Sequence, residues 1–149
     1  MTTDIQRVSP AEASAKVAEG WTYVDVRTVQ EFESGHPAGS LNVPISLMGP
    51  SGMTPNAEFL RVIESMFAKD ARIIVACKAG VRSLKAAQML VAAGFTNVID
   101  QRAGWDGVRS PFGQLTEKGW AHVGLPTEAG APSGRSWSDL RGRALAAAE

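Results

Sequence analysis

The chain of 149 residues is short of most chemistry-bearing side chains. It has one cysteine, so no disulfide can form within it. Its two histidines, His36 and His122, lie far apart and make a poor metal cluster, so no metal or organic cofactor is expected. No excess charge is present: fifteen basic residues face fifteen acidic ones. Neither a global field nor a basic run favours nucleic acid or an anionic membrane, so any anion site must be local. No apolar run approaches the roughly 20 residues of a membrane span. The start, "MTTDIQRVSP", lacks the apolar centre of a signal peptide, which makes the cytoplasm the expected compartment. What remains is an ordinary apolar fraction of 44%. A chain of this length buries roughly 70% of its unfolded surface, enough for one core.

Local signals then place the elements. Ser9-Pro10-Ala11-Glu12 is a capping box with proline in the first turn, and the helix it opens should stop at Gly20. "WTYVDVR" reads as a strand ending near Asp25 to Arg27. Thr28 and Glu31 form a second capping box for "VQEFES". "SLNVP" is a short buried strand, and "LMGPSGMTPN" is a loop on its prolines and glycines. Leu60, Ile63 and Phe67 recur at helical spacing. "RIIVA" is a strand, "SLKAAQMLVAA" a helix and "NVID" a strand. "QRAGWDGVRSPFGQLTEKGW" reads as loop, with one helical turn near Leu115 to Trp120. "EAGAPSGRS" reads as a linker, and the tail after it as a helix docked by Trp137, Leu140 and Leu145. Strands alternating with helices predict an α/β fold with a parallel sheet covered on both faces. Ligands of such sheets sit beyond the carboxyl ends of the strands, where Cys77 lies.

"CKAGVRS" surrounds that cysteine with features that favour a thiolate, the form that reacts. The helix start aims free N–H groups at the loop. Gly80 permits the backbone angles of an anion cradle, and Lys78 and Arg82 add charge. Three readings are open: an inert buried thiol, a nucleophile, or a phosphatase cysteine with its arginine. Four residues separate Cys77 from Arg82, one fewer than the tyrosine-phosphatase loop uses to wrap phosphate. A tighter cradle suits a smaller load, such as one extra sulfur atom on the thiol.

The loop resembles that of single-domain rhodaneses, the thiosulfate sulfurtransferases, often written C-x-x-G-x-R-S. Cys77, Gly80, Arg82 and Ser83 fit it. "YVDVRTVQEFESGHPAGSLNVP" is similar to the family's first signature through Asp25, Arg27, Glu31, Phe32, Gly35, His36, Gly39, Asn42 and Pro44. "AGW" at 103–105 and "GLPT" at 124–127 resemble its closing signature. The resemblance implies a three-layer rhodanese-like domain over residues 1–130, with a linker and short helical tail over 131–149. It implies sulfur transfer from thiosulfate or a related donor to cyanide or a cellular thiophile, through a Cys77 persulfide. A persulfide carrier serving a protein acceptor and a regulatory module are the alternatives; a phosphatase or arsenate reductase fits the short loop less well. Lys78, Ala79, Gly80, Val81, Arg82 and Ser83 would bind substrate, with Lys78 and Arg82 on the sulfonate; the alternative is a solvated Lys78 and an Arg82 that bridges to a carboxylate near the loop. Trp105 would wall the pocket or pack in the core. Asp25, Arg27 and His36 would be structural. The partners implied are a small anionic sulfur donor and a cyanide, thiol or protein acceptor. One departure is the stretch between Trp105 and Trp120, an insertion expected near the pocket mouth.

Overall fold

The computed structural model describes residues 5–147. In chain order the elements are β1 (Gln6–Val8), α1 (Pro10–Ala18), β2 (Thr22–Asp25), α2 (Val29–Ser34), β3 (His36–Pro37), β4 (Leu41–Asn42), β5 (Ser46–Gly49) and β6 (Gly52–Pro55). There follow α3 (Phe59–Met66), β7 (Arg72–Ala76), α4 (Val81–Ala92), β8 (Asn97–Gln101), β9 (Gly107–Arg109), β10 (Leu115–Lys118), a 3-10 turn (Trp120–His122), β11 (Thr127–Glu128) and α5 (Trp137–Ala147). Five strands form one parallel sheet in the order β1-β8-β7-β2-β4.

Alternation along the strands builds two cores. Val24, Ile73, Val75 and Val98 face one way and pack under α3, α4 and α5. Tyr23, Ile74, Ala76 and Ile99 face the other way and pack with Ala13 of α1 and with Trp120. Period-two side chains on buried parallel strands require cover on both faces, and the helices supply it. The three-layer α/β arrangement is the one the sequence predicts.

Both capping boxes form. The Ser9 side chain accepts from Glu12 N–H while Glu12 accepts from Ser9 N–H, and Thr28 and Glu31 do the same. The structure departs from expectation elsewhere. "LMGPSGMTPN" is not plain loop but the hairpin β5–β6, with Met48 opposite Met53 and the turn at Pro50 and Ser51. The proline and glycines mark only its tip. The stretch from Trp105 to Trp120 is a second hairpin, β9–β10, and the helical turn expected over 115–120 begins only at Trp120. β1 was not foreseen: a three-residue edge strand has no room for a periodic pattern. α4 begins at Val81, two residues before the expected Ser83.

The tail folds into the main core. Trp137, Leu140 and Ala144 are buried there, while Leu145 is only half-buried. Positions 137, 140 and 144 share one helical face, and residue 145 lies about 100° round from it. The stretch before α5 is hydrogen-bonded to the sheet edge: Asn42 N–H donates to the Arg135 carbonyl at 2.9 Å, and Arg135 reaches the Ser40 carbonyl at 3.1 Å. The last two residues of the tail, 148–149, lie outside the described residues.

Candidate active site

Cys77 follows the last residue of β7 and opens the loop into α4. The strand is buried on both sides, so the thiol is also buried, 2% exposed. Gly80 turns the chain with φ 88° and ψ −1°, a left-handed conformation that suits glycine. A Cβ there would run into the Arg102 carbonyl. The turn brings Gly80 N–H back onto Cys77 Sγ at 3.1 Å. The Ser83 hydroxyl meets the same sulfur at 3.4 Å. α4 stands behind with the positive end of its dipole toward the thiol.

A strap from the end of β8 holds the loop from outside. Trp105 N–H donates to the Cys77 carbonyl at 2.8 Å, and Asp106 N–H to the Lys78 carbonyl at 3.0 Å. Gly104 is needed here, because a side chain would strike the Cys77 and Lys78 backbone. The buried Gln101 amide braces the strap by accepting from the N–H groups of Ala103 and Gly104 at 2.8 and 2.9 Å. With its first two carbonyls turned to the strap, the loop keeps its N–H groups for the sulfur.

The two cations differ. Arg82 makes a two-pronged pair with Glu31, Nη1 to Oε1 at 2.7 Å and Nη2 to Oε2 at 2.9 Å. Burial pushes the Glu31 carboxyl up, but the Arg82 and Thr28 hydrogen bonds outweigh it and hold the pKa down at about 2. The hydrogen bond that Arg82 donates to Glu31 raises the pKa of Arg82 in turn. The guanidinium expected on the sulfonate is therefore engaged by a carboxylate. Lys78 is exposed, and its ammonium has no partner among the described residues.

Asp25 and Arg27 form a buried pair, Nε to Oδ1 at 3.0 Å and Nη2 to Oδ2 at 2.7 Å, and Arg27 also donates to the Gly35 carbonyl at 2.6 Å. The Trp105 ring lies over that guanidinium at 5.0 Å and against Gly35. Asp25 pairs in register with Ala76, the residue before Cys77, so this pair lies on the β2 side of the loop, and Trp105 packs against the core there. His36 is fully buried away from the thiol. Its Nδ1 meets the Phe32 carbonyl at 2.7 Å, its Nε2 meets Glu128 at 3.1 Å, and its ring stacks on Phe32. It ties β3 to β11. The hairpin β9–β10 stands beside the loop and walls an open cleft of about 380 Å³ with Ala79, Gly80, Val81, Leu84, Val108 and Thr116.

Sequence reasoning placed Glu31 in a helix cap and in the family's first signature but did not name it as the anchor of Arg82. Arg7 and Asp100 were missed altogether. Arg7 Nη2 donates to the Gly80 carbonyl at 2.9 Å across 73 residues of chain, and a separation of that size leaves no local pattern.

Comparison with known proteins fits this architecture. The family description "Rhodanese-like domain" matches residues 9–110. Thiosulfate sulfurtransferase 16, chloroplastic, from Arabidopsis thaliana is 41% identical over 125 residues, 80% of this chain and 94% of that protein. Senescence-associated protein DIN1 from Raphanus sativus is 42% identical over 97 residues; the match takes in 64% of this chain but only 53% of that protein. Among solved structures, the crystal structure of Rv0390 from M. tuberculosis aligns with a TM-score of 0.71 at 26% identity, over 86% of this chain and 100% of that one. The matched span takes in the cysteine loop and the strap that closes on it, and the chain belongs to the rhodanese-like domain family.

Proposed function

We propose that the protein is a sulfurtransferase that carries sulfane sulfur on Cys77, from thiosulfate or a related donor to cyanide or a cellular thiophile. The Cys77 thiolate attacks the outer sulfur of thiosulfate. The sulfur–sulfur bond of the donor breaks, and sulfite leaves with the electron pair. The outer sulfur of the resulting persulfide is then attacked by cyanide, giving thiocyanate and returning the thiolate. Charge and sulfur balance in each half-reaction, and the scheme implies ping-pong kinetics.

The observation that carries this reading is the Gly80 N–H on Cys77 Sγ at 3.1 Å, in a turn at the start of α4. Fixed donors around a sulfur anion lower the cost of forming it, the logic of an oxyanion hole. The relatives named thiosulfate sulfurtransferase support the donor. Phosphate-ester or arsenate chemistry is less well served, because the loop arginine that would clamp the oxyanion is bound to Glu31. A thiol on a partner protein is the second reading for the acceptor. It is favoured by apolar side chains left in solvent, Val81 at the start of α4 at 79% and Phe112 at the tip of hairpin β9–β10 at 93% exposure.

Mass spectrometry after exposure to thiosulfate tests the proposal. Wild type should gain one sulfur on Cys77 and lose it to cyanide. Folded Cys77→Ser should gain none and keep less than about a tenth of the turnover, since an alcohol forms no persulfide. A serine variant that keeps more overturns the mechanism.

A further inference from the structure

Arg7 lies in the edge strand β1, outside the matched family span. It is bound at once to the sheet and to the cysteine loop. Its Nε donates to Asp100 Oδ2 at 2.7 Å, and its Nη2 to the Gly80 carbonyl at 2.9 Å. Asp100 is fully buried at the end of β8, so its end of the fork is fixed. The other Asp100 oxygen, Oδ1, is buried with no hydrogen-bond partner among the described residues. Burial raises the pKa of this carboxyl; the Ser83 hydroxyl and Arg7 pull it down. That hydroxyl is the one that touches Cys77 Sγ. By geometry the Arg7–Asp100 pair reaches the thiol through Gly80, whose carbonyl takes Arg7 and whose N–H meets Cys77 Sγ.

The Gly80 route has a geometric consequence. In a trans peptide the carbonyl of one residue and the N–H of the next point in opposite directions. Turning the Gly80 carbonyl to Arg7 therefore turns Val81 N–H away from Arg7. The Gly80 ψ of −1° eclipses the nitrogens of Gly80 and Val81, so their two N–H groups emerge on the same side. The Gly80 N–H is already on Cys77 Sγ. Successive N–H groups aimed one way form an anion nest. Arg7 stands behind that turn and holds the peptide whose N–H is the candidate second donor.

We propose that Arg7, anchored by Asp100, is a positioning residue for sulfur transfer: it fixes the Gly80–Val81 peptide so that Val81 N–H joins Gly80 N–H at the Cys77 sulfur. Its part in turnover rests on the sulfurtransferase reading above. The orientation of the peptide does not. A bidentate guanidinium fits this place because its fork spans two acceptors at fixed separation; a lysine ammonium is a point donor.

The test follows backbone amide resonances of 15N-labelled wild type and Arg7→Met, first as Cys77 is ionised by raising pH, then after thiosulfate. In wild type both the Gly80 and Val81 amides should shift as charge appears on the sulfur. In Arg7→Met the Gly80 response should persist and the Val81 response should fall to less than about half, as its donor swings off the sulfur. Loss of a fixed donor at a developing charge costs about 100-fold in rate; Arg7 acts on the donor from outside, so kcat should fall about tenfold with little change in KM for thiosulfate. If Arg7→Met does not fold, Arg7→Lys takes its place, with the same two readings and a smaller loss of each. A Val81 amide that follows the sulfur as in wild type, or an unchanged kcat in a folded variant, overturns the proposal. If wild type itself takes up no sulfur, the sulfurtransferase reading fails, and the response to thiol ionisation still decides the role of Arg7.

Discussion

Lys78 and Arg82 flank the thiol with the same charge and opposite commitments. Arg82 is bound in two places by Glu31, and Lys78 reaches into solvent. A dianionic donor that approaches the loop meets Lys78 as its free cation, while Arg82 sits near neutral in combination with its partner. A hydrogen bond to a charged group is typically worth about 1.5–3 kcal/mol, and exposure and salt push it to the lower end. At roughly 1.4 kcal/mol per tenfold, Lys78→Ala should raise the apparent KM for thiosulfate about tenfold. Release of sulfur from preloaded Cys77 to cyanide needs no sulfonate contact and should change far less. Arg82→Ala should act differently, because it leaves the half-buried Glu31 carboxylate unpaired beside the loop. It should lower stability and disturb both half-reactions together. Stopped-flow measurement of the two half-reactions separates these patterns. Equal thiosulfate loading by wild type and Lys78→Ala would show that the backbone cradle binds the anion alone.

At the scale of elements, loop length is the quantity expected to select the chemistry. The Gly80 turn and the start of α4 leave no slack: Gly80 N–H touches the sulfur, and both Cys77 and Lys78 carbonyls are held by the strap. One glycine inserted between Gly80 and Val81 should widen the cradle, move the start of α4 away from the sulfur and remove most sulfur transfer. A folded insertion variant with undiminished turnover would show that the cradle's size is not the selector. The elements also mark where sequence reading stops. Ser9 with Glu12 and Thr28 with Glu31 announced their helices because a capping box is complete within four residues. "RIIVA" and "NVID" announced buried strands because parallel strands are apolar throughout. The cysteine loop was legible down to Gly80 for the same reason: turn, thiol and helix start are contiguous. The hairpins were not. Pro50 and Gly52 mark a tip, but whether the flanks pair depends on Met48 meeting Met53, and nothing in either flank shows this. In the insertion, pairing rests on Gly107 and Gly119, which let the backbone pass close to the Glu117 and Trp105 carbonyls. The destination of Arg82 was open between sulfonate and carboxylate until α2 was placed beside the loop.

At the scale of the whole molecule, balanced charge resolves into specific pairs, and two of them join distant parts of the chain. Glu31 links α2 to the cysteine loop through Arg82. Glu128 links β11 to β3 and to the segment before α5: it accepts from the Gly39 N–H at 3.1 Å, meets His36 Nε2 at 3.1 Å, and accepts from Arg135. Arg135 first, then Gly39 and His36, hold the Glu128 carboxyl down at about 2 against a smaller upward push from burial. Glu31 is held at about 2 as well. Both carboxyls therefore bind protons less readily in the folded chain than in the unfolded one, whose ordinary value is 4.5. The stability they contribute is complete above that value and is lost as pH falls from it toward about 2. With one pH unit worth about 1.4 kcal/mol and a discount for partial exposure, each should contribute on the order of 2 kcal/mol. Asp100 works the other way: burial raises its pKa, so acidification relieves part of the cost of its buried charge. The pKa of Glu12, capping α1, is lowered as well, and three groups against one leave a net loss of stability in acid. Denaturant unfolding from neutral pH down to about pH 3 should show stability falling below about pH 5. Glu31→Gln and Glu128→Gln should each lower stability at neutral pH and flatten that fall, because glutamine keeps the shape but has no proton to take up. The losses should add in the double variant, since the two pairs share no partner. A double variant whose stability falls with acid as steeply as wild type would assign the acid sensitivity to other carboxylates. Loss of sulfur transfer in the same range, ahead of global unfolding, should follow Glu31 rather than Glu128, because only Glu31 is bound to the loop that carries the sulfur.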